Sequence, residues 1–211
     1  KLANLERVIG ELDESLEHFD ESIALQEQVG DVMNSIGNRI DRSRTLIRMN
    51  RFEEAESAIM EIIAMCKQRK SPMYEAFALD SLGDLYLTQG RNEDAVKALR
   101  VAHDTVRGTI PLVEAWLGMS LAVALARAGH LDELDDLTQG TEQHVENVPA
   151  SRAIHIRALA EVRLAQNEPA AAYRHIVRAR AIAESLEGGA PEKLSKDLDE
   201  LEQRIVGRST S

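Results

Sequence analysis

Three observations predict an all-α fold made of repeated helix pairs. The 211 residues include 44% apolar but only 3% aromatic residues, so the core must be built from Ala, Leu, Ile and Val, which favour packing of helix on helix. The five prolines lie at the boundaries of long segments rich in helix-forming residues, and no segment alternates β-branched and polar residues as a strand would. The third observation is a pattern that recurs about every 40 residues.

The clearest copy of the pattern predicts two helices that cross closely. Gly83 and Ala95 are small at the predicted crossing, and Leu99 fills the space beside it. Gly90 ends the first of the two helices. The whole copy consists of Leu79, Leu82, Gly83, Tyr86, Gly90, Ala95, Leu99 and Ala102.

The crossing position and the turn before it both recur along the chain. The crossing position recurs at steps of 40, 40, 39 and 38 residues, at Ser15, Ala55, Ala95, Leu134 and Ala172. Each preceding turn begins with a residue that tolerates the left-handed conformation, which predicts the end of a helix. These residues are Gly10, Asn50, Gly90, Gly129 and Asn167.

Prolines mark where the first helix of several pairs begins. Pro72, Pro111 and Pro149 are spaced by 39 and 38 residues, and each fits the first turn of a helix, with Ser71 placed to cap one of them. Pro191 predicts a final helix over residues 191–206 that covers the last pair. The apolar stripe of that helix is Leu194, Leu198, Leu201 and Ile205.

Over essentially its whole length the sequence resembles tetratricopeptide proteins, in the variety with a step near 40 residues found in kinesin light chains, polarity adaptors and sensory segments of bacterial regulators. The resemblance implies a single right-handed α-solenoid of about five helix pairs plus the capping helix. The predicted pairs are residues 1–30, 31–70, 71–109, 110–147 and 148–188. Because the first residue is Lys1 and the sequence opens inside a helical pattern, we expect a piece of a longer protein.

The resemblance also implies a concave face that is lined by the first helix of each pair and binds peptides or protein segments. On this face the register predicts alternating apolar and charged partner-binding residues, with Leu164 beside them. Phe77, Trp116 and Leu164 could instead pack between neighbouring pairs, and the sequence leaves both alternatives open. The predicted residues are Ile40, Arg44, Ile47, Arg48, Phe77, Asp80, Asp84, Leu87, Trp116, Met119, Val123, Arg127, Arg157 and Glu161.

A group of arginines in the second pair stands out in an acidic chain. Local charge balance with the acidic helix before it accounts for Arg39 and Arg42. Arg44 and Arg48 lie one helical turn apart on the predicted inner wall, so we expect them to hold an acidic or C-terminal segment of a partner.

Composition argues against several other functions. A net charge of -11 disfavours nucleic-acid and anionic-membrane binding, which need excess Lys and Arg. No phosphate loop, nucleophile elbow, dinucleotide fingerprint or zinc-protease motif is present, so we expect neither an enzyme nor a cofactor. Cys66 is the single cysteine and lies in an apolar run, which favours a core position and a reducing, cytoplasmic compartment.

These expectations combine into one leading hypothesis and one alternative. The leading hypothesis is a protein-interaction or sensory scaffold that binds a peptide or protein segment and regulates an effector domain, such as a cyclase or transcription factor, elsewhere in the protein. The alternative is a structural oligomerisation spacer that docks on a second copy, as a homodimer, through its N-terminal pair.

Overall fold

The structure is a computed structural model that describes residues 2–186 and 190–209. Over these ranges it contains α-helices, one short 3₁₀ helix at Glu142–His144, and no β-strand. The predicted all-α class is therefore confirmed. The α-helices are α1 Leu2–Ile9, α2 Leu12–Gln28, α3 Val32–Arg48, α4 Phe52–Gln68, α5 Pro72–Thr88, α6 Asn92–Val106, α7 Pro111–Ala128, α8 Leu134–Thr138, α9 Pro149–Ala165, α10 Pro169–Glu184 and α11 Glu192–Ser209.

The chain forms two compact units. The first, Lys1–Val106, holds α1 to α6, and the second, Arg107–Ser211, holds α7 to α11. In the first unit each helix packs on the next along the chain, and the first helices of neighbouring pairs, α3 and α5, also pack on each other. Its core is formed by fully buried side chains from all three pairs, among them Phe19, Ile36, Leu46, Ile59, Leu85 and Leu99.

The turns between helices have the backbone conformation that the sequence predicts. All five predicted residues have positive φ, for example Asn50 at 58° and Gly90 at 73°. The amide after Gly90, that of Arg91, donates to the carbonyl oxygen of Tyr86 at 2.8 Å, which is the six-residue closure typical of a left-handed helix end. Turns of the same kind at Gly30 and Lys70 were not predicted, and they join one pair to the next.

Gly83 lies where α5 and α6 cross, as its small size predicts. A β-carbon at this position would stand 2.7 and 2.8 Å from the two terminal methyl carbons of Leu99, well inside van der Waals contact. Leu99 is itself fully buried, so it has little room to move away. The crossing therefore requires glycine.

We expect Gly83→Ala to lower the free energy of unfolding of the first unit by about 1 to 3 kcal/mol, because the new methyl group overpacks the crossing. Gly37→Ala in α3 is the matched control, since a β-carbon there meets only the Tyr74 ring, at an ordinary 3.6 Å. Replacing that helical glycine should leave stability unchanged or raise it by up to about 1 kcal/mol. Urea denaturation followed by far-UV circular dichroism measures both, and equal midpoints for the two variants would contradict the close crossing.

The second unit is built around α7 and α9. Among the described helices, α7 alone is long and apolar enough to cross a bilayer by length and composition. Ten of its 18 residues are buried, and it packs against α8 and α9, so packing within the unit accounts for its apolar character. Helix α9 packs in turn on α10, and α11 covers both.

The fourth helix pair differs from the prediction, because its second helix is broken. Helix α8 has only five residues, and Gly140 after it takes a left-handed φ of 70°. Leu134, which stands where the other pairs have a small residue, is fully buried. Beyond Leu137 the next large apolar residue is Val145, so no apolar stripe remains on which a longer helix could pack.

The last helix packs as its sequence pattern indicates. Leu194, Leu198, Leu201 and Ile205 are buried in one cluster with apolar residues of α9 and α10. The helix begins directly after Pro191, whose carbonyl oxygen accepts a hydrogen bond from the Ser195 amide at 3.0 Å. The predicted cap at Ser71 is wrong. The Ser71 hydroxyl donates to the sulfur of Met33 at 3.6 Å and does not bond to the helix that follows it.

Polar contacts hold down residues 139–148, the strap that replaces most of the missing helix. The Glu142 carboxylate accepts hydrogen bonds from Arg178 of α10 at 2.6 Å and from Arg152 of α9 at 3.2 Å. Thr141 and His155 of α9 share a hydrogen bond of 2.9 Å between hydroxyl and ring Nε2. His155 is buried, and this burial lowers its pKa from 6.5 to about 4.

The second unit should therefore lose stability in mild acid. Between pH 6.5 and about 4 the unfolded chain protonates this histidine while the folded chain keeps it neutral, so stability falls as pH drops. We expect a loss of about 2 kcal/mol at pH 5 relative to pH 7 from this residue. His155→Gln should remove this part of the pH dependence of stability. The pKa of His175 is also lowered by burial, but this residue is present in both proteins and so does not affect the comparison. Urea midpoints at the two pH values measure the effect, and identical pH dependence in both proteins would contradict it.

Candidate functional site

The first helices of the first unit are joined by an ionic network. Arg44 of α3 reaches Asp41 of its own helix and Asp80 of α5, each at 3.2 Å. Arg7 of α1 lies 3.7 Å from the same Asp41 carboxylate. Burial lowers the pKa of Arg7 in spite of the carboxylate of Asp41 beside it. The network thus links three successive first helices through half-buried and buried charges.

The two arginines predicted to hold a ligand both contact neighbouring helices. Arg44 belongs to the network with Asp80, and Arg48 donates a hydrogen bond to the backbone carbonyl of Arg7. Both side chains are only partly exposed. Their contacts hold α1 and α5 against α3, a role that the sequence analysis did not anticipate.

Arg39 and Arg42 pair with the acidic helix before them. Arg39 lies 2.5 Å from Glu27, and Arg42 lies 2.7 Å from Asp20, with both carboxylates on α2. The interpretation of these two arginines as local charge balance is confirmed.

Several predicted partner-binding residues are buried and cannot touch a partner in this structure. The exposed fractions of Ile40 and Ile47 are 3%, and those of Met119 and Val123 are 4%. Leu164 is fully buried, so of its two alternatives it belongs to the core and not to the binding face. These side chains point into the packing of their helices because each first helix contacts neighbours on several sides.

The remaining predicted residues of the first unit lie at intermediate depth. Phe77 is half-buried and meets the ring of Tyr74 edge to face, with ring centres 6.4 Å apart. Asp84 and Leu87 are half-buried, whereas Asp80 is buried. The predicted apolar residues of α3 and α5 are therefore at most partly exposed.

In the second unit two large apolar side chains are exposed at equivalent positions. Trp116 of α7 is 47% exposed, which places it on the surface and not between helix pairs. Ile154 of α9 follows 38 residues later, one repeat step along the chain, and is 50% exposed. Since α7 and α9 pack on each other, the two side chains occupy corresponding places on neighbouring first helices.

In the same unit, arginines from three helices surround the buried carboxylate of Glu161 on α9. Arg127 of α7 contacts the two oxygens of Glu161 at 2.6 and 3.2 Å. Arg157, one turn away on α9, contacts Glu161 at 3.0 Å, and Arg204 of α11 contacts it at 3.3 Å. This cluster brings together three of the predicted residues, and it adds Arg204, which the sequence analysis missed.

The electrostatics of this cluster favour anions. Burial raises the pKa of Glu161, but the charges of Arg157, Arg127 and Arg204 outweigh it and hold that pKa below its ordinary value, so the carboxylate is ionised. A second acid, Asp197 of α11, lies 4.0 Å from Arg157. Three guanidinium groups therefore converge on Glu161. Because Glu161 is only 1% exposed, it positions the arginines and does not itself reach a partner.

A scan against protein-family models finds no match for the chain, and a search of curated proteins finds none either. Solved structures do match. One is a protein from Podosopora anserina described as a kinesin light chain with nearly identical TPR-like repeats, at a TM-score of 0.61 and 17% identity over 86% of this chain and 91% of that one. A point variant of the same protein matches at 0.62. BtubC from P. vanneervenii matches at 0.60 and 17% identity over 98% of this chain and 92% of that one.

The chain has a tetratricopeptide-like repeat fold. This confirms the resemblance and the repeat-solenoid class that its sequence pattern predicts. At 17% identity the likeness concerns the fold, and the charged clusters on the first helices are described from this chain alone.

The clusters carry a sequence signal that could have been found. In a tetratricopeptide-like array, first helices of adjacent pairs lie side by side. Arg7 and Asp41 are 34 residues apart, and so are Arg127 and Glu161. That separation is about one helical turn to a turn and a half shorter than the repeat step, as expected for a long arginine that reaches along its neighbour.

We expect Glu161→Gln to destabilise the second unit by about 1 to 3 kcal/mol, because it leaves arginines facing one another without their buried counter-charge. Asp199→Asn is the matched control, since Asp199 pairs with Arg180 at 2.9 Å on an exposed surface of the same unit. The control should change stability by at most about 1 kcal/mol. Thermal unfolding near neutral pH measures both, and a Glu161→Gln protein as stable as the control would show that the cluster is not a structural charge pair.

Proposed function

We propose that this chain is a protein–protein interaction scaffold that binds a segment of a partner along the first helices of its second unit. The tetratricopeptide-like fold supports a binding role in general. The observation that carries the proposal is the pairing of exposed Trp116 and Ile154 with a cluster of arginines on the same helices. Aromatic and arginine side chains together are enriched where protein interfaces hold most of their binding energy.

The partner segment that fits this surface is acidic and carries apolar residues. Three arginines converge on Glu161, and Arg204 is about half exposed, so an incoming carboxylate gains attraction that the acidic remainder of the chain does not offer. Trp116 and Ile154 supply the apolar contact that a purely ionic interaction lacks. The segment could be internal or a C-terminus, because both present carboxylates.

The second unit is better suited than the first to bind a partner. In the first unit Arg44 and Arg48 hold neighbouring helices, and Ile40 and Ile47 are buried. A partner that used Arg44 would have to compete with Asp41 and Asp80. We also propose that the protein acts in the cytoplasm, which its single, buried cysteine Cys66 supports. Regulation of an attached effector domain is part of the same proposal and rests on the scaffold fold alone.

A photo-crosslinking residue in place of Trp116 tests the proposal. In an extract of the source organism, the derivatised protein should crosslink a discrete partner, and adding Arg204→Gln or about 0.5 M salt should reduce the yield severalfold through weaker attraction. The same crosslinker at Met60 of α4, which is 53% exposed, is the matched control. Equal crosslinking from both positions would contradict the proposed surface. So would a crosslinking yield at position 116 that changes neither with Arg204→Gln nor with added salt.

One observation favours the alternative function of an oligomerisation spacer. Helix α1 exposes an apolar face, with Leu2, Leu5 and Ile9 each more than half exposed. A second copy that covered this face would give the spacer its contact. Leu5→Asp tests this contact separately from the partner surface.

A further inference from the structure

Helix α10 has a continuous apolar line on its exposed side. Ala172, Ile176, Ala179 and Ala183 form its buried face. On the opposite side the exposed line follows helical spacings of 3, 4 and 4 residues and runs through Ala170, Tyr173, Val177 and Ala181. Tyr173 is 47% and Val177 51% exposed, so two adjacent turns present large apolar side chains to solvent.

This line is flanked by positive charge. Arg174 and Arg178 stand one turn apart beside Tyr173 and Val177. Among residues 2–186 and 190–209, Arg174 has no ion-pair partner, and the partner of Arg178 is Glu142 of the strap. Helix α10 thus combines apolar and basic character on one exposed face, in a chain whose net charge is -11.

Helix α2 has the opposite charge. Its sequence contains six acidic residues and no Lys or Arg. Glu14, Glu17 and Glu21 line up on its exposed side at spacings of 3 and 4 residues, and within the described part of the chain none of them has an ion-pair partner. Like charges at these spacings destabilise a helix until a cation meets them. Exposed Leu25 continues the same face by one turn.

We propose that two copies of this chain associate by docking α10 of one copy on α2 of the other. Arg174 and Arg178 are four residues apart, as are Glu17 and Glu21, so the charges on one turn of each helix match in spacing. Arg174 supplies the new ion pair, and Arg178, which also holds Glu142, adds positive charge beside it. Tyr173 and Val177 then meet the apolar end of α2 around Leu25.

A second copy is the occupant that charge favours. An acidic chain repels its own copies over most of its surface, and the α2 and α10 faces supply a complementary pair within one sequence. The two faces differ, so the contact is heterologous. It uses second helices of the pairs, whereas the proposed partner surface around Trp116 lies on first helices.

Charge reversal in separate copies tests this contact. Sedimentation velocity at low salt should show that the natural protein associates with a dissociation constant below about 0.5 mM. Arg174→Glu alone, or Glu17→Lys alone, should raise that constant about tenfold or more. A one-to-one mixture of the two variants should regain association, because the unchanged α10 of the Glu17→Lys copy can dock on the unchanged α2 of the Arg174→Glu copy, and the reversed charges also attract each other. Lys196→Glu on α11 is the matched control, since it changes net charge as Arg174→Glu does at an exposed position on a different helix.

Any of four results would overturn the proposal. One is a natural protein that remains monomeric over the whole concentration range at low salt. Another is failure of the mixture to regain association while both variants keep their helical circular dichroism. The third is association that Lys196→Glu weakens as much as Arg174→Glu does. The fourth is association that Leu5→Asp abolishes while Arg174→Glu leaves it unchanged, which would place the contact on α1.

Discussion

A carboxylate buried between helices stays ionised only where cations reach it, and this constraint shapes the first helices of the second unit. Glu161 is held there by arginines from α7, α9 and α11, while in the first unit half-buried Asp41 is held by arginines from α1 and α3. Removing the arginines around Glu161 would leave a charge that water cannot reach, and in each cluster the ion pairs tie neighbouring helices at fixed positions along one another. Apolar packing brings the helices together, and the charge pairs select their register.

The same constraint decides which arginines are available for binding. Where arginines and carboxylates balance, as around Arg44, each charge is used within the unit. Around Glu161 the arginine side chains of α7 and α11 are partly exposed. Under the proposed function, structural and binding roles coexist in one cluster, since the buried carboxylate keeps the arginines in place and their outer edges would attract a partner.

Features that depend on local backbone chemistry were predictable from the sequence, and those that depend on helix rotation were not. The glycine and asparagine turns and the crossing at Gly83 follow from what glycine alone permits, and the structure has them. Which side of a first helix faces outward depends on packing by its neighbours, and successive residues differ by about 100° around the axis. Ile40 and Ile47 are consequently buried although they share a helix with the partly exposed Arg44 and Arg48. The broken helix α8 escaped prediction because the repeat step continues through a segment that lacks an apolar stripe.

The break in α8 has a consequence for how the second unit is stabilised. In a repeat array each helix contacts mainly its neighbours, so losing most of one helix is tolerated if something else covers the exposed surface. Here Val145 and the polar contacts of Glu142 and Thr141 take that place. Apolar burial is indifferent to pH, whereas burial favours the neutral form of His155, and the ion pairs at Glu142 hold only while its carboxylate is ionised. Burial raises the pKa of Glu142, but Arg178 and Arg152 outweigh it and lower that pKa. Acid therefore acts on the strap first through the histidine and, at lower pH, through the carboxylate, and α9 and α10 lose their cover from the side where the repeat is incomplete.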